Sequence, residues 1–267
     1  MNRRTIESLH SFSAAQRRPP RVADLFAPLR GDHAKKAAKP VQRLIRPSLK
    51  IMFFKIAKGI WRKKSLLRTM MNLELANYTV KGKVLDVGGG VNPSYFQFLK
   101  KEPRTEIINI DFKSLHAIGK TVDLEKDPLP YADESVDQVL MFNILEHIYN
   151  YRFLIGEAKR VVKSGNEVLG FVPFMMSYHA DPHDYFRYTK ESLKKIFAEA
   201  GFKNVVVKEV GLGPCAVSYN IMVSFPLPGV LKLAVFPIYY LLDRVLLKLR
   251  PQLKEKYPLG YIFLLKK

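Results

Sequence analysis

A single cysteine in 267 residues leaves Cys215 without a partner for an intramolecular disulfide, and it excludes cysteine-built zinc sites. No uninterrupted apolar core follows the early arginines, so a secretory signal is not expected. No continuous apolar stretch is long enough for a clean membrane span, because glycines, prolines or charges interrupt each one. Acidic side chains are missing altogether between Asp32 and Glu74, a stretch that carries 12 Lys and Arg. The net charge of +20 is therefore lopsided. Residues 1–72 hold 18 basic against 3 acidic side chains, whereas the remainder is nearly balanced at 26 against 21.

Residues 1–47 read as a basic, disordered arm, poor in apolar anchors and broken by prolines. Over 48–78, Leu49, Met52, Phe53, Ile56 and Ile60 recur at helical spacing, with Lys50, Lys55, Lys58 and Arg62 largely opposite. Such a basic amphipathic helix suits an anionic membrane surface or a nucleic-acid backbone; the plainer alternative is a solvated helix packed on the body.

From residue 79 strands alternate with helical segments: KVLDV (83–87), TEIINI (105–110), a weaker TVDL (121–124), VDQVLMF (136–142), EVLGFVPF (167–174), NVVVKEV (204–210) and GYIFLLK (260–266). Helical patterns are read after the first strand through Lys101, from about Ile144 to Val162, and from Thr189 to Gly201. The expected fold is α/β, Rossmann-like, with a mostly parallel sheet covered by helices on both faces. Residues 211–257 form an apolar insert, expected as an interfacial helical pair, a lid or a buried interface.

The sharpest local signal is VLDVGGGVNP at 84–93. A strand ends, and Gly88, Gly89 and Gly90 turn the chain at the carboxyl end of the sheet, where α/β folds bind ligands. Pro93 stands where a dinucleotide fingerprint needs its third glycine, and no G-x-x-x-x-G-K-S/T loop is present. Asp86 beside the turn repels a pyrophosphate and favours a cationic or zwitterionic nucleoside, such as S-adenosylmethionine. Asp111, closing the second strand, is placed to accept hydrogen bonds from ribose hydroxyls.

The segment VDLEKDPLPYADESVDQVLMFNILEHI, 122–148, resembles the class I S-adenosylmethionine-dependent methyltransferase superfamily, in its D-x-x-x-x-x-LPF-x-D-x-S-F-D branch followed by LEH. The resemblance covers roughly residues 80–210 and implies a seven-stranded sheet with the last strand antiparallel. It implies that Asp86, Gly88 and Gly90 line the methionine end of the cofactor, Asp111 the ribose, Asp123 with Leu124 the adenine, and that Asn143 sits beside the sulfonium. Asn92, Tyr131 and Val136 depart from the usual residues without removing a required side chain. Glu146 and His147 lie where ubiquinone-type O-methyltransferases and small-RNA end methyltransferases place metal ligands in E-x-x-E-H. Asn143 replaces the first carboxylate, so no metal is expected.

The loop His179–Tyr188 follows the fifth strand and is dense in groups that move protons or hold anions. His183 is the candidate general base. His179, Arg187 and Tyr188 are candidate substrate contacts, Arg187 as a fork for a carboxylate or phosphate. The alternative is that Asp184, Arg187 and Tyr188 tie the loop down. The P-x-D-Y-F-R-Y-T run resembles methyltransferase-like proteins of bacterial glycan and lipid biosynthesis. The expected function is O-methylation, less readily N-methylation, of a glycan or lipid-linked acceptor on the inner face of a membrane, in a cytoplasmic setting. The competing readings are an RNA methyltransferase gripping phosphates with its basic arm, and a non-catalytic S-adenosylmethionine-binding protein.

Overall fold

A computed structural model describes residues 49–90, 93–111, 122–223 and 225–267. The chain divides into two units, 1–43 and 44–267, and the described residues all lie in the second. The expected disordered arm falls outside them.

Among the described residues the main sheet has six strands: β2 (Lys83–Val87), β4 (Glu106–Ile110), β5 (Val136–Phe142), β6 (Val162–Pro173), β7 (Asn204–Val210) and β8 (Gly260–Lys266), in the order β4-β2-β5-β6-β8-β7. β1 (Thr79–Val80) and β3 (Lys100–Lys101) form a separate two-stranded ribbon. β4, β2, β5 and β6 run parallel, with Leu85 paired to Ile108 on one side and Val139 on the other. β8 returns antiparallel between β6 and β7.

Alternation along the central strands serves two cores. Val139, Met141, Val168 and Val172 face helices α3 (Tyr151–Val161) and α4 (Lys190–Glu199), where Leu154, Ile155, Leu193 and Phe197 are buried. Leu140, Phe142, Leu169 and Phe171 face the other way, against α1 (Leu49–Trp61), α2 (Leu66–Leu75), α5 (Pro214–Met222) and α6 (Gly229–Leu249). Helices thus cover both faces, as parallel strands with apolar residues on both sides require. A short α7 (Leu253–Lys256) leads into β8.

Several expected elements are corrected. The described part of TVDL, Val122–Leu124, runs irregularly into a turn, so the expected seventh strand is absent among the described residues. Residues 94–98 form turns instead of a helix, with Tyr95 and Leu99 drawn into the core. The helix after β5 begins only at Tyr151, following a 3-10 turn at Leu145–His147. The helical stretch 48–78 is broken between α1 and α2, where Lys63 has φ 58° and Ser65 caps α2 by accepting from the Arg68 N–H.

α1 lies on the body through the expected apolar face. Ile56 and Ile60 are buried, and Phe53 stacks on Phe236 of α6 at 5.5 Å. Within the insert, α6 is tied to α5 by Asp243, whose buried carboxylate accepts from the Cys215 and Ala216 N–H groups at 2.9 and 2.7 Å. That carboxylate caps the first turn of α5, whose own N-cap position is Gly213 and supplies no side chain.

Candidate functional site

The carboxyl ends of β2, β4 and β5 open into a cavity of about 420 Å³. Its floor is the turn Gly88–Gly90. Gly88 and Gly90 take φ of 78° and 70°, backbone that L side chains rarely adopt. A Cβ at Gly88 would meet the Ile144 side chain at 2.5 Å, and one at Gly90 would point toward Asp111 Oδ2 at 3.6 Å. The glycines therefore let the backbone itself form the wall, which a side chain at 90 would crowd beside Asp111. The turn is pinned by the Gly88 N–H donating to the Ile110 carbonyl at 2.7 Å and by Asn109 Nδ2 donating to the Gly90 carbonyl at 3.1 Å.

Asp111, Asp123, Leu124, Asn143 and His183 line the same cavity, joined by Ile144, His147, Ile148 and Tyr185. Asp123 is held by its neighbours: its Oδ1 accepts from the Glu125 N–H at 3.0 Å and its Oδ2 from Lys126 Nζ at 3.1 Å. The Glu125 bond leads in holding its carboxyl below the usual range. Asn143 has φ 52°, a left-handed conformation at the end of β5, and its N–H donates to the Phe171 carbonyl.

Four expected contacts, Asp86, His179, Arg187 and Tyr188, lie off the cavity wall. Asp86 is fully buried behind the turn, off the cavity wall. Tyr95 Oη stands 2.7 Å from both its carboxylate oxygens, and a Cβ at Gly89 would collide with Asp86 Oδ2. Burial pushes the Asp86 carboxyl up to about 7 against the lowering pull of the Tyr95 bond. Tyr188 is a core residue whose hydroxyl donates to the Leu145 carbonyl at 3.1 Å. Arg187 turns inward to fork Asp184 at 2.5 and 2.6 Å and also donates to the Phe186 and Ser177 carbonyls. Both residues thus serve the tying-down of the loop, because a guanidinium with its donors taken up internally has little left for a substrate anion.

The loop is fastened to the 3-10 turn as well. Tyr185 and Phe186 N–H groups donate to the Glu146 carbonyl, and the His179 N–H donates to Asp184 Oδ2. This holds His183 on the cavity wall. His179 lies behind it, with burial lowering its pKa. Sequence reading missed Tyr95, whose role depends on a turn where a helix was expected. It also missed Ile144 and Ile148, whose apolar character resembles that of any helix.

Residues 85–169 match the family model described as a methyltransferase domain. Comparison with curated protein sequences finds no match. Among solved structures the chain is similar to an S-adenosylmethionine-dependent methyltransferase of Archaeoglobus fulgidus, at 16% identity, covering 83% of this chain and 100% of that one, with a TM-score of 0.45. A second, from Aquifex aeolicus, shows 18% identity over 58% of this chain and 93% of that one, at 0.42. A third, phosphoethanolamine N-methyltransferase 2 of Haemonchus contortus with bound S-adenosyl-L-methionine, shows 13% identity over 75% and 52%, at 0.46.

Proposed function

We propose, from the match of residues 85–169 to a methyltransferase domain, that the chain is a class I S-adenosylmethionine-dependent methyltransferase that methylates a hydroxyl of a glycan or lipid-linked acceptor at an anionic membrane surface. The observation that carries the chemistry is one cavity lined by the carboxylates Asp111 and Asp123, the glycine turn and His183. S-adenosylmethionine supplies, when bound, an electrophilic methyl carbon on a sulfonium. The residues present fit it: Gly88–Gly90 leave room for close backbone approach, Asp111 offers oxygens to paired hydroxyls, and Leu124 with Ile144 and Ile148 gives an apolar wall.

In this reading His183 takes the proton of the acceptor hydroxyl. Methyl displacement needs alignment above all, so the protein's main contribution is positioning, with proton removal secondary. Asp86 acts from behind the turn, where its carboxyl, held by Tyr95, leaves no room for a side chain at Gly89.

Support for the membrane setting comes from α1 and α6. On the outer side of α1, Ile51, Phe54 and Trp61 are exposed, interleaved with Lys50, Lys55, Lys58 and Arg62. The outer side of α6 exposes Ile238, Leu241, Val245 and Leu249 beside Arg244 and Lys248. No helix among the described residues is long and apolar enough to cross a membrane. Hydrocarbon contacts flanked by cations are the two signals that stable attachment to an anionic bilayer needs. Incubating the enzyme and its donor with lipid and glycan extracts, then weighing the products by mass spectrometry, tests the acceptor class. One added methyl on an extract component supports it, and methyl found only on RNA overturns it.

A further inference from the structure

Beside the cavity, Glu146 of the 3-10 turn is fully buried, and neither of its carboxylate oxygens has a hydrogen-bond partner. Buried carboxylates lacking partners are costly, and each one needs a reason. Two imidazoles face it. His147 Nε2 lies 3.7 Å and His179 Nε2 3.9 Å from Glu146 Oε1, too long for hydrogen bonds. The three ligand atoms all fall within 4.8 Å of one another.

The outer nitrogens of both rings are already engaged. His147 Nδ1 is 2.5 Å from the His183 carbonyl oxygen, which can only accept, so the proton sits on Nδ1 and Nε2 keeps its lone pair. His179 Nδ1 has two oxygens close by, the Ser177 carbonyl at 3.3 Å and Asp184 Oδ2 at 3.4 Å. Arg187 Nη2 is also 3.3 Å from this nitrogen, but that guanidinium is committed to Asp184. The proton of His179 therefore belongs on Nδ1 as well, which turns a second lone pair toward Glu146. Second partners on the far nitrogen are how metal-binding histidines are oriented. The neighbouring positive charge of Arg187 is answered by Asp184, leaving the carboxylate of Glu146 for a cation.

We propose that Glu146, His147 and His179 form a binding site for a divalent transition-metal ion of the zinc type. Ligands about 2.1 Å from a tetrahedral ion stand about 3.4 Å from one another, so small side-chain rotations close the observed spacing. Two nitrogens and one oxygen disfavour magnesium, which prefers oxygen. Three protein ligands leave a coordination position open, as in sites where the ion meets a substrate or water. Asn143 does not enter the set. The third ligand comes from the loop after β6, which reverses the expectation drawn from Asn143 alone. The site does not depend on the identity of the acceptor.

The test is calorimetric titration of zinc into the chelator-stripped full-length protein, with thermal unfolding alongside and cobalt as a coloured substitute. One zinc per chain, a raised melting temperature and visible cobalt absorption are expected, with magnesium giving none of these. Glu146→Gln keeps the shape of a buried neutral side chain, so it should fold as the parent does yet bind zinc at least tenfold more weakly. His147→Ala and His179→Ala should do the same. His183→Ala should bind zinc within threefold of the parent, because only its backbone carbonyl takes part. Absence of stoichiometric binding by the parent overturns the site, as does equal binding by Glu146→Gln.

Discussion

Asp86 shows how burial changes what a residue does. Its carboxyl is raised to about 7, first by desolvation, while an unfolded aspartate titrates near 4. Between those values the folded state binds more protons than the unfolded one, so stability falls as pH rises from about 4 toward 7. Glu146, raised by burial to about 8, adds a decline of the same sign that extends slightly higher. Asp86→Asn is expected to narrow the stability gap between pH 5 and pH 8, as read by urea unfolding at both. Tyr95→Phe removes the hydroxyl that serves both Asp86 oxygens and is expected to cost roughly 1–3 kcal/mol in the same assay. His183→Ala is expected to lower turnover by roughly 10²–10⁴ with cofactor affinity unchanged, which single-turnover kinetics with calorimetry would separate.

At the scale of elements, α5 depends on a cap from another helix. Asp243→Ala leaves the Cys215 and Ala216 N–H groups unanswered and should destabilise the protein by roughly 1–3 kcal/mol in urea unfolding, with Asp243→Asn losing less. The strands around the cavity were legible because each is an apolar run bounded by glycine or charge, as KVLDV and VDQVLMF are. α4 was legible from Thr189, whose hydroxyl caps it by accepting from the Ser192 N–H. TVDL was not, because two apolar residues before a proline-containing turn cannot hold a sheet edge alone. The segment after Gly90 misled because Tyr95, Phe96 and Leu99 have helical spacing, yet Pro93 and the demands of Asp86 bend them into turns. The cavity residues contributed by glycines and strand ends could be read from local spacing. The Glu146 cluster could not, since His179 lies 33 residues downstream and meets Glu146 only through the fold.

Across the whole molecule, the cavity at the strand ends and the outer sides of α1 and α6 are built from different residues, so they can be perturbed separately. Phe54→Ser with Trp61→Ser should weaken binding to anionic vesicles at high salt, where buried hydrocarbon dominates. Lys55→Glu with Lys58→Glu should weaken it mainly at low salt, at about 1 kcal/mol per basic side chain removed. Vesicle sedimentation at two salt concentrations separates these effects, and neither variant should alter cofactor affinity. The most direct test of the central claim is transfer of an isotope-labelled methyl group from S-adenosylmethionine to lipid and glycan fractions by the parent, Asp111→Ala and His183→Ala. Label should enter those fractions with the parent. It should be lost with Asp111→Ala through weakened cofactor binding, and lost with His183→Ala although the cofactor still binds. Label transfer by all three proteins at equal rates, or by none of them, would contradict the account.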